Sequence, residues 1–134
     1  MRAVLDTNVV VSGIFFGGVP GQILEAWAAG RFELLLSPSI YVEYFRTCAR
    51  LSEKRPQLAF SELLTTIVGN GTLIADSQSD QPITADPDDD KFLLCAMEAQ
   101  GVVVSGDSDL LTADGWGGVR VYRPREFMSL LRLR

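Results

Sequence analysis

Five short, largely apolar runs, separated by stretches of helical character, set the tightest limit on how this chain can fold. They cover residues 2–5 (RAVL), 32–36 (FELLL), 72–75 (TLIA), 102–105 (VVVS) and 119–122 (VRVY). A strand that is apolar nearly throughout is buried on both faces, as in a parallel sheet covered by helices. Between these runs, residues 20–29 read as a helix, with Pro20 near its start and Gly30 as its stop. Ser37-Pro38 supplies a cap and a first-turn proline for a helix running to about Leu51. Residues 57–68 form a further amphipathic helix closed by Gly69-Asn70-Gly71, and 76–87, with Pro82 and Pro87, is a loop. A helix opens within Asp88-Asp89-Asp90, where acids suit the positive end of the dipole, and continues to Gly101. A short helix within 106–113 and a last one from Pro124 complete the pattern. The alternation predicts one three-layer α/β/α domain over residues 1–134, with a mainly parallel sheet of four to five strands. Ligands of such sheets bind beyond the carboxyl ends of the strands.

Composition removes several classes of function. The chain has 134 residues, 47% of them hydrophobic and 22% charged, which suits one globular core. No apolar run approaches the roughly 18–20 residues that cross a bilayer. Asp6 falls inside what would be the apolar part of a leader peptide, so a cytoplasmic protein without a membrane anchor is expected. There is no histidine, which excludes Ser-His-Asp and Cys-His catalysis and the usual zinc sites. Cys48 and Cys95 sit in apolar patterns without CxxC spacing and are expected to be buried, reduced thiols. The working groups of an enzyme built from this chain are carboxylates, hydroxyls and amides, with or without a hard metal ion.

The charges are unevenly placed. The net charge is −5, yet residues 1–67 are balanced. Residues 76–114 carry ten acids against Lys91, and residues 115–134 carry five arginines against Glu126. Asp6 directly follows the first strand, and Asp107 follows the fourth with one residue between Ser105 and itself. Glu43 lies about one and a half turns into the helix entered at Ser37-Pro38. Asp90 lies in the first turn of its own helix. With right-handed connections all four sit at the same end of the sheet. Each also has a plain structural reading: Asp6 and Asp107 as helix caps, Glu43 as a solvent-facing position, Asp90 as a dipole-favoured residue. Together they form a repulsive cluster, worth about 1–4 kcal/mol per unpaired carboxylate pair at about 4 Å. Divalent cations relieve that repulsion, and oxygen-only ligands favour Mg²⁺ or Mn²⁺.

Four segments carry a family resemblance. Asp6-Thr7-Asn8-Val9 resembles the first motif of PIN-domain nucleases, and the stretch from Leu36 to Tyr44 resembles the second, placing Glu43 on its glutamate. The run from Asp86 to Ala96 is similar to the third, with Asp90 in register with the family aspartate. Val104-Ser105-Gly106-Asp107-Ser108-Asp109 is similar to the fourth, with Asp107 as its main acid and Asp109 as a frequent additional one. The likeness spans about residues 3–128 and is nearest to the VapC-like toxins of prokaryotic toxin–antitoxin pairs. It implies a Mg²⁺- or Mn²⁺-dependent endoribonuclease cutting single-stranded RNA, a homodimer, and a cognate antitoxin protein as partner. In the roles it implies, Asp6, Asp90 and Asp107 hold the metal, and Glu43 is a ligand or orients the attacking water. Asn8, Ser105 and Asp109 support that shell. Asp88 and Asp89 leave room for a register shift. Helical phase favours Asp90, since Leu93, Leu94 and Met97 follow it at i+3, i+4 and i+7. Arg120, Arg123 and Arg125 are the candidate phosphate-positioning surface. Leu24, Trp27, Ile40, Tyr41, Tyr44 and Phe45 offer an apolar excess that a symmetric dimer would bury.

Other classes fit less well. A haloacid-dehalogenase-type phosphatase needs a second acid where this chain has Asn8, and a receiver domain needs paired acids where it has Asp6 alone. A catalytically silent PIN-fold module binding RNA or a protein partner is the alternative reading.

Overall fold

β1 (Arg2–Leu5) occupies the centre of a five-stranded parallel sheet. β2 (Glu33–Leu36) and β3 (Thr72–Leu73) lie to one side of it, and β4 (Val102–Val104) and β5 (Val121–Tyr122) to the other. The computed structural model describes residues 1–54 and 60–133. The strand order β3-β2-β1-β4-β5 means that the chain first steps outward from β1 and later returns to build the other side. The order therefore reverses between β1 and β4, and a doubly wound sheet opens its ligand crevice at such a reversal. β1 and β4 are in register there, with Leu5 opposite Val104.

The apolar runs form this sheet because each can be covered on both sides. Ala3, Val4, Leu5, Leu34, Leu35, Leu36, Val103 and Val104 are fully buried in one contiguous core, and each large aliphatic side chain contributes about 1.5–3 kcal/mol on burial. The helices are α1 (Thr7–Phe15), α2 (Gly18–Ala28), α3 (Pro38–Lys54), α4 (Ser61–Asn70), α5 (Asp90–Ala99), α6 (Ser108–Thr112) and α7 (Pro124–Arg132). The expected three-layer α/β/α architecture is the observed one. Ser37 accepts a hydrogen bond from the Ile40 amide at 3.4 Å and so begins α3 as its sequence predicts. Asp76, from the loop after β3, accepts from the Ser39 amide (3.2 Å) and hydroxyl (2.6 Å) at the same helix start. The helix expected over 57–68 is α4 from Ser61 onward, and residues 57–59 lie outside the described residues.

Two expectations change. α1 lies in a stretch to which the pattern assigns no element. Val9, Val10 and Val11 favour extended backbone, but all three are buried, and core packing overrides the local preference. The apolar excess expected to face a second copy is mostly core. Ile40 and Tyr44 are fully buried, and the Tyr44 hydroxyl donates to the Leu5 carbonyl. Leu24, Trp27 and Tyr41 pack against the core, which leaves Phe45 exposed. Cys48 and Cys95 are buried and free, and burial pushes their thiols up to about 11 and about 12. No single helix among the described residues is long and apolar enough to cross a membrane.

Candidate functional site

The carboxyl ends of β1 and β4 deliver the first two acids. The Asp6 amide donates to the Val104 carbonyl at 2.9 Å, which continues the ladder one step past β1. That pairing sets Asp6 beside Ser105, whose buried hydroxyl donates to the Asp6 carboxylate at 2.6 Å. Ser105 also accepts from the Asp107 amide at 2.9 Å, so one hydroxyl fixes both acids. Asp6 precedes α1 without capping it through its side chain. Asp107 does cap α6, accepting from the Leu110 amide at 3.4 Å. Its structural reading as a helix cap is therefore the observed one.

A cleft of about 310 Å³ opens above these strand ends and is lined by Asp6, Glu43, Asp86, Asp89, Asp107 and Asp109, together with Thr7, Asn8, Thr47 and Arg50. Carboxylate oxygens of Asp89, Asp107 and Asp109 lie within 4.8 Å of one another. Burial, a hydrogen bond to Asp107 and the charges of Asp107, Asp6 and Asp86 hold Asp89 up to about 7. Burial likewise raises Asp6, against the lowering effect of Ser105 and the Thr7 amide, with Asp107 and Glu43 adding repulsion. Such a cluster, all oxygen and without a cation inside the trio, is a donor set that suits a hard divalent ion.

Of the acids expected to hold metal, Asp6 and Asp107 meet in this cleft and Asp90 does not. The Asp90 carboxylate turns back to the preceding loop, accepting from the Ile83 amide (3.2 Å), the Thr84 amide (2.9 Å) and the Thr84 hydroxyl (2.8 Å). Asp89 takes the place expected of Asp90. The phase argument fails because Pro87–Asp89 forms a 3₁₀ turn, capped by Asp86 through the Asp88 amide at 3.0 Å. The α-helical period of α5 does not extend back through that turn.

Glu43 lines the cleft with both oxygens engaged: Lys91 Nζ lies 2.6 Å from Oε1, and the Thr7 hydroxyl donates to Oε2. Lys91 also donates to the Asp88 carbonyl at 2.5 Å. Asn8 is exposed at the cleft and forms no side-chain hydrogen bond to Asp6. Arg120 pairs with Asp114 at 3.0 Å and lies over the Tyr122 ring, while Arg123 precedes α7, its amide donating to Glu126 at 2.9 Å. None of Arg120, Arg123 and Arg125 lines the cleft, whereas Arg50 of α3 does. Sequence reasoning gave no role to Thr7, Lys91 or Arg50, although Thr7 stands in the first motif and Lys91 in the third, and it weighed Asp89 only as a register shift from Asp90.

The family model of the PIN domain matches residues 2–109. This chain belongs to the PIN-domain family. The uncharacterized protein MJ1680 of Methanocaldococcus jannaschii is 29% identical over 117 residues, covering 84% of this chain and 74% of that protein. Among solved structures, VapBC2 from Rickettsia felis, bound to a DNA fragment from its promoter, aligns with a TM-score of 0.65 at 14% identity, over 92% of this chain and 98% of that one. The PilT N-terminus domain protein SSO1118 from Sulfolobus solfataricus P2 aligns at 0.55 and 12% identity, over 98% and 93%. At these identities the two structures speak to the fold. This PIN domain keeps its acids at the switch point of that fold.

Proposed function

We propose that this PIN domain is a Mg²⁺- or Mn²⁺-dependent endoribonuclease acting on single-stranded RNA. The convergence of Asp6, Asp89, Asp107 and Asp109 in one cleft at the sheet's switch point carries the reading. A scaffold gains nothing from burying a carboxyl group against further acids so that it is held up to about 7. Asp89, Asp107 and Asp109 would hold the ion, which when bound supplies a water of lowered pKa and charge to brace the phosphate in an in-line displacement. Ser105 keeps Asp6 and Asp107 in fixed relation through its two hydrogen bonds. Thr7 and Lys91 lock the Glu43 carboxylate in one orientation at the rim, where it positions the attacking water. The water's oxygen adds to phosphorus, its proton passing to solvent, as the P–O bond to the leaving ribose oxygen breaks and that oxygen takes up a proton from solvent.

The VapBC2 likeness extends the proposal to a toxin of a toxin–antitoxin pair, acting in the cytoplasm with an antitoxin protein as partner. A homodimer belongs to the same reading. Incubating a varied set of RNAs with the protein tests it. Cleavage is expected with Mn²⁺, is abolished by EDTA, and is lost in Asp6→Asn and Asp107→Asn with the fold retained. RNAs left intact in Mn²⁺, with Asn variants that melt well below wild type in EDTA, would make the acids structural and the domain a silent module.

A further inference from the structure

Beside the acidic cleft lies a larger hollow of about 820 Å³, a size typical of small-ligand sites. Glu43, Thr47 and Arg50 line both, so the two spaces are continuous along α3. The hollow also takes in Val42 and Phe45, which are 42% and 46% exposed, and Arg46, which is exposed. Phe45 packs edge-on against Phe60 at 5.8 Å, which holds the ring in place while leaving nearly half of it open. Lys91 is committed to Glu43. The remaining positive charge of the hollow is that of Arg46 and Arg50, one helical turn apart. Neither arginine forms a salt bridge among the described residues, and Arg50 makes only a 3.4 Å hydrogen bond to Thr47.

A polyanion approaching the acidic cleft has to be held from somewhere, and the arginines near the carboxyl terminus do not line that cleft. We infer that the α3 hollow binds the RNA flanking the cut: Arg46 and Arg50 hold the neighbouring phosphate and Phe45 stacks on its base. The inference rests on the nuclease reading above. Arginine for the backbone and an aromatic ring for the base are the two contacts a single strand needs. An apolar protein helix laid in the same hollow would strip water from two guanidinium groups and give them nothing in return.

Binding is separable from cutting in an Asp107→Asn background, with fluorescence anisotropy of a short, end-labelled, mixed-sequence RNA as readout. Replacing both arginines, Arg46→Gln with Arg50→Gln, weakens binding and flattens the slope of log K against log salt by about 0.7, the share of the one single-strand phosphate they hold. Phe45→Ala weakens binding roughly tenfold at unchanged slope, and Phe45→Trp, which keeps a stacking ring, restores it. Unaltered affinity and slope in the arginine variant, while the wild type cuts RNA, overturns the hollow as a subsite and leaves the nuclease reading standing. Loss of self-association in sedimentation with RNA binding intact also overturns it, assigning the hollow to a second copy. A wild-type protein that neither binds nor cuts any RNA overturns both.

Discussion

The Asp90 carboxylate accepts three hydrogen bonds from Ile83 and Thr84, and its neighbour Asp89, one residue earlier, is wedged against Asp107 and held up to about 7. The two acids should therefore respond oppositely to the same substitution. Asp90→Asn loses charge-assisted bonds to two backbone amides and should cost about 1–2 kcal/mol, read as a lower melting temperature in EDTA. Asp89→Asn removes a repulsion, so metal-free stability should hold or rise. The pH dependence follows from the same residue. A carboxyl group whose folded pKa is raised binds its proton more tightly folded than unfolded, so its contribution is full below about pH 4 and is lost as pH climbs through 7. Asp6 is raised in the same direction. In EDTA the wild type should melt higher at pH 5 than at pH 8, and Asp89→Asn should flatten that difference. A melting temperature that rises steadily over this range would contradict the assignment. Asp6, Glu43 and Asp107 were legible as acids beside predicted strand ends and helix starts. The choice between Asp89 and Asp90 was not, because a turn of different period separates them from the pattern that follows.

At the scale of elements, the Lys91–Glu43 ion pair ties the start of α5 to α3, with side chains only 19% and 32% exposed. Removing one partner of a shielded pair leaves the other uncompensated. Lys91→Met should lower metal-free stability. It should also raise the affinity for Mn²⁺, since Glu43 becomes a free negative charge at the rim of the cleft. Titration calorimetry reads the second effect, and weaker Mn²⁺ binding in this variant would show that Lys91 supports the metal site rather than competing with it. This pairing could not be read in advance: Lys91 and Glu43 are 48 positions apart and meet only through the fold. The strands, by contrast, were readable because near-continuous apolar runs have one good solution, burial on both faces. α1 was not, because its valines pull toward extended backbone while the core demands a helix.

For the molecule as a whole, winding the sheet brings four of the ten acids between Asp76 and Asp114 to one cleft: Asp86, Asp89, Asp107 and Asp109. The reversal of strand order between β1 and β4 gathers Asp6 and Asp107 at one opening, the turn before α5 adds Asp89, and α6 adds Asp109. A net charge of −5 by itself disfavours a nucleic-acid partner. A divalent ion in that cluster would reverse the local field, and α3 supplies arginines alongside. The most direct test is the cleavage of labelled single-stranded RNA in Mn²⁺ by three proteins side by side: wild type, Asp89→Asn and Asp90→Asn. The predicted result is cutting by wild type and Asp90→Asn below its melting transition, and none by Asp89→Asn. Cutting by Asp89→Asn with none by a folded Asp90→Asn would contradict it.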